Sequence, residues 1–131
     1  MSWTPSEKEI EAVLSLGAPE RYEHCIKKIA DQETVWSLWQ DGGWALAGDE
    51  AGNQLVPIWP HQKYASLCAL AEWAGYEPRQ ISLDAFLDRW IPGMERDNRL
   101  VAVFPTPKDK GVRAEPRRLE SDLREELSRY E

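Results

Sequence analysis

The apolar positions of the first thirty residues predict two amphipathic helices. Residues 4–7 have the pattern of a capping box, in which Thr4 is the N-cap and Glu7 follows three residues later. Gly17 is placed to end this helix, and Pro19 to begin the next one. The second helix has apolar side chains at the i, i+3, i+4 and i+7 spacing of one buried face: Tyr22, Cys25, Ile26 and Ile29.

A tryptophan-rich stretch then predicts three short strands, at residues 35–40, 44–47 and 54–59. Glycine and polar residues separate them, as in tight turns. We therefore expect an N-terminal antiparallel meander. Pro57 has no N–H for a β-ladder, so its strand is predicted to lie at an edge or to carry a bulge.

The second half of the chain alternates between helical and extended patterns. A third helix is predicted from Pro60 to Gly75, a strand at 79–83, and a fourth helix that Pro92 breaks or kinks. Residues 100–104 form the most continuous apolar run and are predicted to be the central strand. A short strand at 112–114 and a last helix from Pro116 follow.

This order of elements, α-α-β-β-β-α-β-α-β-(β)-α, predicts an α+β fold. We expect a mixed sheet of five to six strands, with the helices packed mainly on one face. The 131 residues suit a single domain over 1–131. No apolar run is long enough to cross a bilayer, and the first residues lack the pattern of a signal peptide, so we expect a cytoplasmic protein with no membrane partner.

The net charge of −7 is unevenly distributed along the chain. Residues 108–131 contain seven basic and seven acidic side chains, so all of the net negative charge precedes them. Such an acidic body repels phosphate backbones and argues against nucleic-acid binding. It favours a basic protein as partner.

The cysteines and histidines are weak candidates for chemistry. His24, Cys25, His61 and Cys68 are four possible soft ligands, but they lack the paired close spacing of a zinc site. A Cys–His nucleophile pair is possible in principle, but both cysteines fall on apolar helix stripes, where inert buried thiols are expected. We therefore assign no catalytic residue, no metal and no cofactor.

The candidate binding residues lie in the predicted meander and just after it. Asp49 and Glu50 occupy an acidic turn that lacks the ligand spacing of a calcium loop. Trp44 and Trp59 belong to neighbouring strands, and tryptophan is enriched at interface hot spots. His61 is predicted to be neutral at the start of the third helix, where it could hydrogen-bond a ligand.

Several segments together resemble one bacterial family of unknown function, family 2750. They are Gly43-Trp44-Ala45-Leu46, Val56-Pro57-Ile58-Trp59-Pro60-His61, Tyr64-Ala65, Cys68-Ala69, Glu72-Trp73, Leu100-Val101-Ala102-Val103-Phe104-Pro105-Thr106-Pro107 and residues 123–130. The resemblance implies a bacterial source and supplies no catalytic residues. A weaker, topological likeness links the order of elements to enhanced-serine-sensitivity-type and immunity-type domains.

The sequence is consistent with two functions. The first is a noncatalytic acidic protein-binding module, an adaptor or an immunity-like protein, that uses Trp44, Asp49, Glu50 and Trp59. The alternative is a small-molecule-binding or enzymatic domain with a pocket near Trp59 and His61. A binding module should present an exposed acidic and aromatic patch, whereas an enzyme should present a deep pocket with convergent polar groups.

Overall fold

The computed structural model of the protein describes residues 3–130 and has an α+β fold. Its helices are α1 (Glu7–Leu14), α2 (Ala18–Gln32), α3 (Gln62–Leu67), α4 (Leu83–Ala85), α5 (Ile91–Arg96) and α6 (Pro116–Ser128), with a 3₁₀ turn at Ala71–Trp73 and a π-helical segment at Phe86–Trp90. Its strands are β1 (Thr34–Gln40), β2 (Gly43–Trp44), β3 (Ala47–Gly48), β4 (Gln54–Ile58), β5 (Glu77–Ser82), β6 (Leu100–Val103) and β7 (Val112–Ala114).

The strands form two sheets where a single mixed sheet was expected. One sheet has the order β2-β1-β5 and is antiparallel throughout. The other has the order β3-β4-β6-β7, and its central pair, β4 and β6, is parallel. The predicted meander is therefore present as two antiparallel pairs, β1 with β2 and β3 with β4, which belong to different sheets.

The two sheets separate at Pro57, where the Leu38 carbonyl accepts the Ala45 N–H (2.9 Å). Trp36 and Trp59 form an isolated antiparallel bridge between β1 and the end of β4, with reciprocal N–H···O bonds of 3.0 and 2.9 Å. The next hydrogen-bonded position of this ladder would place Leu38 opposite Pro57, which has no N–H to donate. The Pro57 carbonyl instead accepts a hydrogen bond from the Ser37 hydroxyl (2.6 Å). Of the two positions predicted for Pro57, the edge is wrong because β4 lies between β3 and β6, and the β4–β6 register runs through Pro57 without a bulge.

The four-stranded sheet has two different faces. Val56, Val101 and Val103 point into the main core, and the central position predicted for residues 100–104 is confirmed because β6 lies between β4 and β7. Leu55 and Ala102 are buried on the opposite face and are not part of that core. The helices therefore cover one face of this sheet, as expected.

Helix boundaries differ from the sequence expectation at three places. Ser6, not Thr4, is the N-cap of α1, and its hydroxyl accepts the Glu9 N–H (3.1 Å). The third helix ends at Leu67, and a separate 3₁₀ turn replaces its predicted second half. The chain stays helical through Pro92 and is not broken there, but its hydrogen bonding changes just before this residue, where the π-helical segment Phe86–Trp90 leads into α5.

Both cysteines are free and buried, which confirms the expectation of unpaired thiols in the core. Cys25 has no exposed surface, and burial raises the pKa of its thiol. The Cys68 Sγ lies 3.4 Å from the Pro105 carbonyl oxygen.

Across residues 3–130, no helix combines the length and the apolar character that a bilayer crossing needs.

Candidate functional site

A cavity of about 350 Å³ opens on the face of the four-stranded sheet that points away from the main core. Its floor consists of small or apolar side chains from three strands, Ala47, Leu55 and Ala102. Its walls combine charged, glycine and apolar residues and come from three segments: Gly48 and Asp49; Glu72 and Trp73; and Pro105, Thr106, Asp109, Lys110, Gly111 and Arg113. We call this the open-face cavity.

Asp49 organises the acidic turn at one side of the cavity. One carboxylate oxygen accepts the backbone N–H groups of Ala51 (3.0 Å) and Asn53 (2.8 Å). The other accepts the Asn53 side-chain amide (3.0 Å) and the Arg113 guanidinium (3.0 Å). These bonds, chiefly that of the Asn53 amide, hold the pKa of Asp49 below its usual value. The turn is therefore a fixed element with a carboxylate that is ionised at neutral pH.

Trp73 forms the aromatic wall of the cavity. Its indole N–H donates to the Leu46 carbonyl (3.4 Å), and its ring meets the edge of Trp59 at 6.1 Å between centroids. Ala71, at the start of this turn, has a φ of 52°, a region that a residue with a Cβ adopts at a cost. Such strained backbone is concentrated at functional sites.

The loop after β6 forms the opposite wall and is anchored from below. The Pro105 carbonyl accepts the Trp59 indole N–H (2.8 Å). Phe104 has a φ of 56°, so a second non-glycine residue beside the cavity is held in the left-handed region. Arg21 is 1% exposed and forms an ion pair with Asp109. The loop is thus fixed by a buried arginine and a buried tryptophan.

The structure places the predicted binding residues in different environments. Asp49 lines the open-face cavity, and Glu50 is exposed at the tip of the same turn. Trp59 is 0% exposed and lies behind the cavity, so it supports two wall residues and presents no surface of its own. Trp44 lines a separate cavity together with Val56, on the core face of the sheet. Trp44 and Asp49 therefore do not share one surface.

Sequence reasoning missed Trp73, the tryptophan that does accompany Asp49. The sequence predicts one continuous helix from Pro60 to Gly75, which includes Trp73 and gives it no role in binding. The available signal was the Glu72-Trp73 pair followed closely by Gly75, which marks the end of regular structure. Gly75 has a φ of 89°, as a turn glycine does.

His61, the remaining candidate, lies beneath the N-terminal segment. It is the N-cap of α3, and its Nδ1 accepts the Lys63 N–H (3.1 Å). Its ring contacts Trp3 edge-on at 5.3 Å. Burial, and then Lys63, lower the pKa of His61, which agrees with a neutral imidazole. Two polar atoms near Trp3, Tyr64 Oη and His24 Nε2, are buried without a hydrogen-bond partner among residues 3–130.

The lining of the open-face cavity combines charged side chains with one indole ring. Within the described chain, its lining contains no histidine or cysteine. The Thr106 hydroxyl accepts the N–H groups of Lys108 and Asp109 (both 3.2 Å) and so serves the loop. No group of three histidine, cysteine or acidic side chains among residues 3–130 is arranged to hold a metal ion. Carboxylates beside an indole ring suit a cationic guest.

Comparison with known proteins supplies one match. The model of DUF2750, described as a protein of unknown function, matches residues 22–123. The match confirms the resemblance seen in the sequence and extends over most of the quoted segments, up to Leu123. No curated protein and no solved structure matches the chain.

Proposed function

The chain belongs to the DUF2750 family of proteins of unknown function, and from its geometry we propose a noncatalytic protein-binding module. In this proposal, the open-face cavity receives a basic side chain, lysine or arginine, of a protein partner. The observation that carries the proposal is the position of Trp73 beside Asp49 and Glu72 over the floor of the cavity.

The charges of the cavity favour a cationic guest. Three acidic and two basic side chains line it. Asp49 is bound to Arg113 and Asp109 to Arg21, so these two pairs are already neutralised. Among residues 3–130, Glu72 forms no ion pair, and neither does Glu50 at the adjacent tip. Within the described lining, the unpaired carboxylate of Glu72 therefore balances the unpaired cation of Lys110, and Glu50 at the adjacent tip adds a second carboxylate, which tips the local charge toward negative.

Trp73 provides the second attraction. A cation placed over an indole ring gains about 0.5–2 kcal/mol, more when water is excluded. The apolar floor of Leu55 and Ala102 suits the methylene stem of such a side chain. A partner side chain would thus find a charge-bearing rim and an apolar base in the same cavity.

A binding site of this kind benefits from rigidity. The Asp49 turn is closed by bonds from Ala51 and Asn53, and the opposite loop is anchored by Trp59 and Arg21. A partner that docks on fixed walls loses less conformational entropy than one that must order them. The fixed Asp49 turn and the anchored loop after β6 therefore favour binding of a partner side chain in the open-face cavity.

The test begins with affinity capture of the tagged protein from the cells that produce it, followed by binding kinetics with the captured partner. Glu50→Lys with Glu72→Lys should slow association and flatten its dependence on salt, because steering by charge acts mainly on the on-rate. Trp73→Ala should speed dissociation by roughly 30-fold, the equivalent of about 2 kcal/mol.

The matched control is Glu125→Lys, an exposed charge reversal on α6 at a residue that does not line the open-face cavity. It should leave the kinetics close to those of the parent. Asp49 is unsuitable for charge reversal because its carboxylate holds the turn together. A captured partner that binds the double Lys variant and Trp73→Ala with parental kinetics would exclude this cavity as the binding site.

One observation favours a second candidate function, small-molecule binding beside His61. Tyr64 Oη and His24 Nε2 are buried polar atoms without partners in the described chain, beneath Trp3. Burial of such atoms is unfavourable unless something bonds them. A crystal structure at high resolution would show a bound molecule between them, in support of this candidate, or ordered water, against it.

A further inference from the structure

A second cavity, of about 430 Å³, lies on the core side of the four-stranded sheet, between the β2–β3 segment and α5. Its floor is apolar and consists of Leu46, Val56 and Met94, while two tryptophans, Trp44 and Trp90, line it. Because Val56 faces the main core and Leu55 faces the open-face cavity, the two cavities occupy opposite sides of the sheet. We call this one the tryptophan cavity.

The two tryptophans form a rigid aromatic wall. Their rings meet edge to face, with centroids 4.7 Å apart and an interplanar angle of 81°. Trp39 continues the array on one side at 4.9 Å from Trp44. Across residues 3–130, the indole N–H groups of Trp44 and Trp90 donate to no other residue. The wall therefore offers aromatic surface to a flat guest, and its two indole N–H groups are without an acceptor in the described chain.

The helix that presents Trp90 has an unusual conformation. Residues Phe86–Trp90 form a π-helical segment, which is rare and occurs frequently at functional sites. The segment ends at Trp90, and α5 then contributes Gly93 and Met94 to the cavity. The rare π-helical segment therefore ends at one of the two tryptophans that line the cavity.

The rim of the tryptophan cavity is positive although the chain as a whole is strongly negative. Arg89 and Arg99 line the cavity with a single carboxylate, Asp97. The Arg99–Asp97 pair is long, at 3.9 Å, and Arg89 forms no ion pair among residues 3–130. Arginine is the side chain best suited to grip a carboxylate, because its planar fork makes two parallel hydrogen bonds.

We propose that the tryptophan cavity binds a small aromatic carboxylate. The ring of the ligand packs against Trp44 and Trp90, and its carboxylate meets Arg89 and Arg99. The volume of about 430 Å³ lies in the range of small-molecule sites, and an apolar lining with a few convergent polar groups is their usual composition. This site is independent of the proposed protein-binding cavity on the other face.

The test uses indole-3-acetate as probe and its neutral counterpart indole-3-acetamide as control. Titration is followed by NMR through the assigned indole N–H signals of the seven tryptophans. We expect saturable shifts at Trp44 and Trp90 and none at Trp73, with the acid binding roughly tenfold more tightly than the amide. Equal affinity for acid and amide, or no saturable shift at Trp44 and Trp90, would overturn the proposal.

Two variants separate the ring site from the charge site. A Cβ at Gly93 would meet only the end of the Arg96 side chain, at 3.6 Å, so Gly93→Leu can fill the cavity without backbone strain. This variant should abolish binding of both probes. Arg89→Gln with Arg99→Gln should weaken the acid about tenfold and leave the amide unchanged.

The matched control for the charge site is Arg124→Gln, an exposed position of α6 outside the cavity. It should bind the acid as the parent does. Parental affinity of the acid in either the Gly93→Leu variant or the double arginine variant would place the ligand elsewhere and refute the assignment. Because neither test involves a protein partner, its failure leaves the proposed function of the open-face cavity unaffected.

Discussion

The guanidinium of Arg21 and the carboxylate of Asp109 form an ion pair that joins α2 to the loop beside the open-face cavity. The two side chains are unequally exposed, 2% for Arg21 and 43% for Asp109. Arg21 also donates to the carbonyls of Leu16 (2.6 Å) and Phe104 (3.4 Å). The buried charge of Arg21 is thus satisfied by Leu16, which precedes α2, and by two residues of the loop after β6, and Asp109 is its only counterion within residues 3–130.

Because Arg21 is buried and Asp109 is partly exposed, removing Asp109 alone should destabilise the protein more than removing both residues. Asp109→Ala leaves a buried guanidinium without a counterion and should destabilise the protein by about 3 kcal/mol, the lower end for broken buried pairs because Asp109 is partly exposed. Adding Arg21→Met to this variant removes the stranded charge, so the double variant should recover part of the loss. Urea unfolding of the parent, both single variants and the double variant measures the coupling. A double variant less stable than Asp109→Ala alone would contradict this account.

Gly111 closes the same loop and cannot carry a side chain. Its φ is 75°, and a Cβ would collide with the Val103 carbonyl oxygen and approach the Pro105 nitrogen to 2.8 Å. Gly111→Ala should therefore cost more than the roughly 1–2 kcal/mol of a left-handed alanine. Gly52→Ala is the matched control, because Gly52 has a φ of 88° with open space around it. Equal losses in the melting temperatures of the two variants would show that the loop moves to accept a Cβ.

Stability should fall as the pH drops below neutral because two histidines are held neutral. Burial, and then Lys28, lower the pKa of His24, while burial and then Lys63 lower that of His61, in both cases from the ordinary value of 6.5. The unfolded chain therefore takes up protons first as the pH falls. The contribution of each histidine is complete above its unfolded pKa and declines below it, until the folded pKa is reached.

Urea titrations between about pH 8 and pH 5, across the ordinary histidine pKa, measure this decline. His24→Gln with His61→Asn removes both titrating groups, and the asparagine keeps an acceptor at the N-cap of α3. The free energy of unfolding of this variant should vary less with pH over that range. A slope identical to that of the parent would assign the pH dependence to other groups.

The buried thiols should react slowly in the native state. Burial raises the pKa of Cys68 to about 11 and also raises that of Cys25, so little thiolate is present at neutral pH. Labelling with a bulky disulfide reagent should proceed only through opening of the structure and should accelerate in urea. Rapid labelling of either cysteine without denaturant would contradict their placement in the core.

Local patterns predicted the helices and strands well because neighbouring residues decide them. The stripe from Tyr22 to Ile29 and the apolar run of β6 needed no knowledge of the fold. The division into two sheets depended on which partner reaches Pro57, and that is decided by residues 20 positions away, such as Ser37. The sequence shows that Pro57 has no N–H to donate. It does not show that the ladder affected is the one between β1 and β4.

The candidate site was predicted in part for the same reason. Asp49 and its turn were recognisable, since Asn53 and Gly52 are local turn formers. The tryptophan that accompanies Asp49 could not be found by proximity in sequence, because Trp73 reaches the cavity only after a helix and a 3₁₀ turn. The sequence favours Trp44 and Trp59 as binding residues because both lie in the predicted meander beside the acidic turn, but the structure buries Trp59 in the core.

The buried position of Trp59 leads to a last prediction. Its indole N–H donates to the Pro105 carbonyl (2.8 Å), and its ring contacts Trp73, so Trp59 supports both walls of the open-face cavity. Trp59→Phe leaves a buried carbonyl without this donor and a void beside it, which together should destabilise the protein by about 2–4 kcal/mol. Trp39→Phe is the control: Trp39 is half-buried and its indole N–H has no acceptor in the described chain, so its loss should be smaller. The NMR signal of the Trp73 indole should also shift in Trp59→Phe and stay in place in Trp39→Phe. If Trp59→Phe unfolded at the same urea concentration as the parent with an unmoved Trp73 signal, Trp59 would fill space without holding the cavity walls.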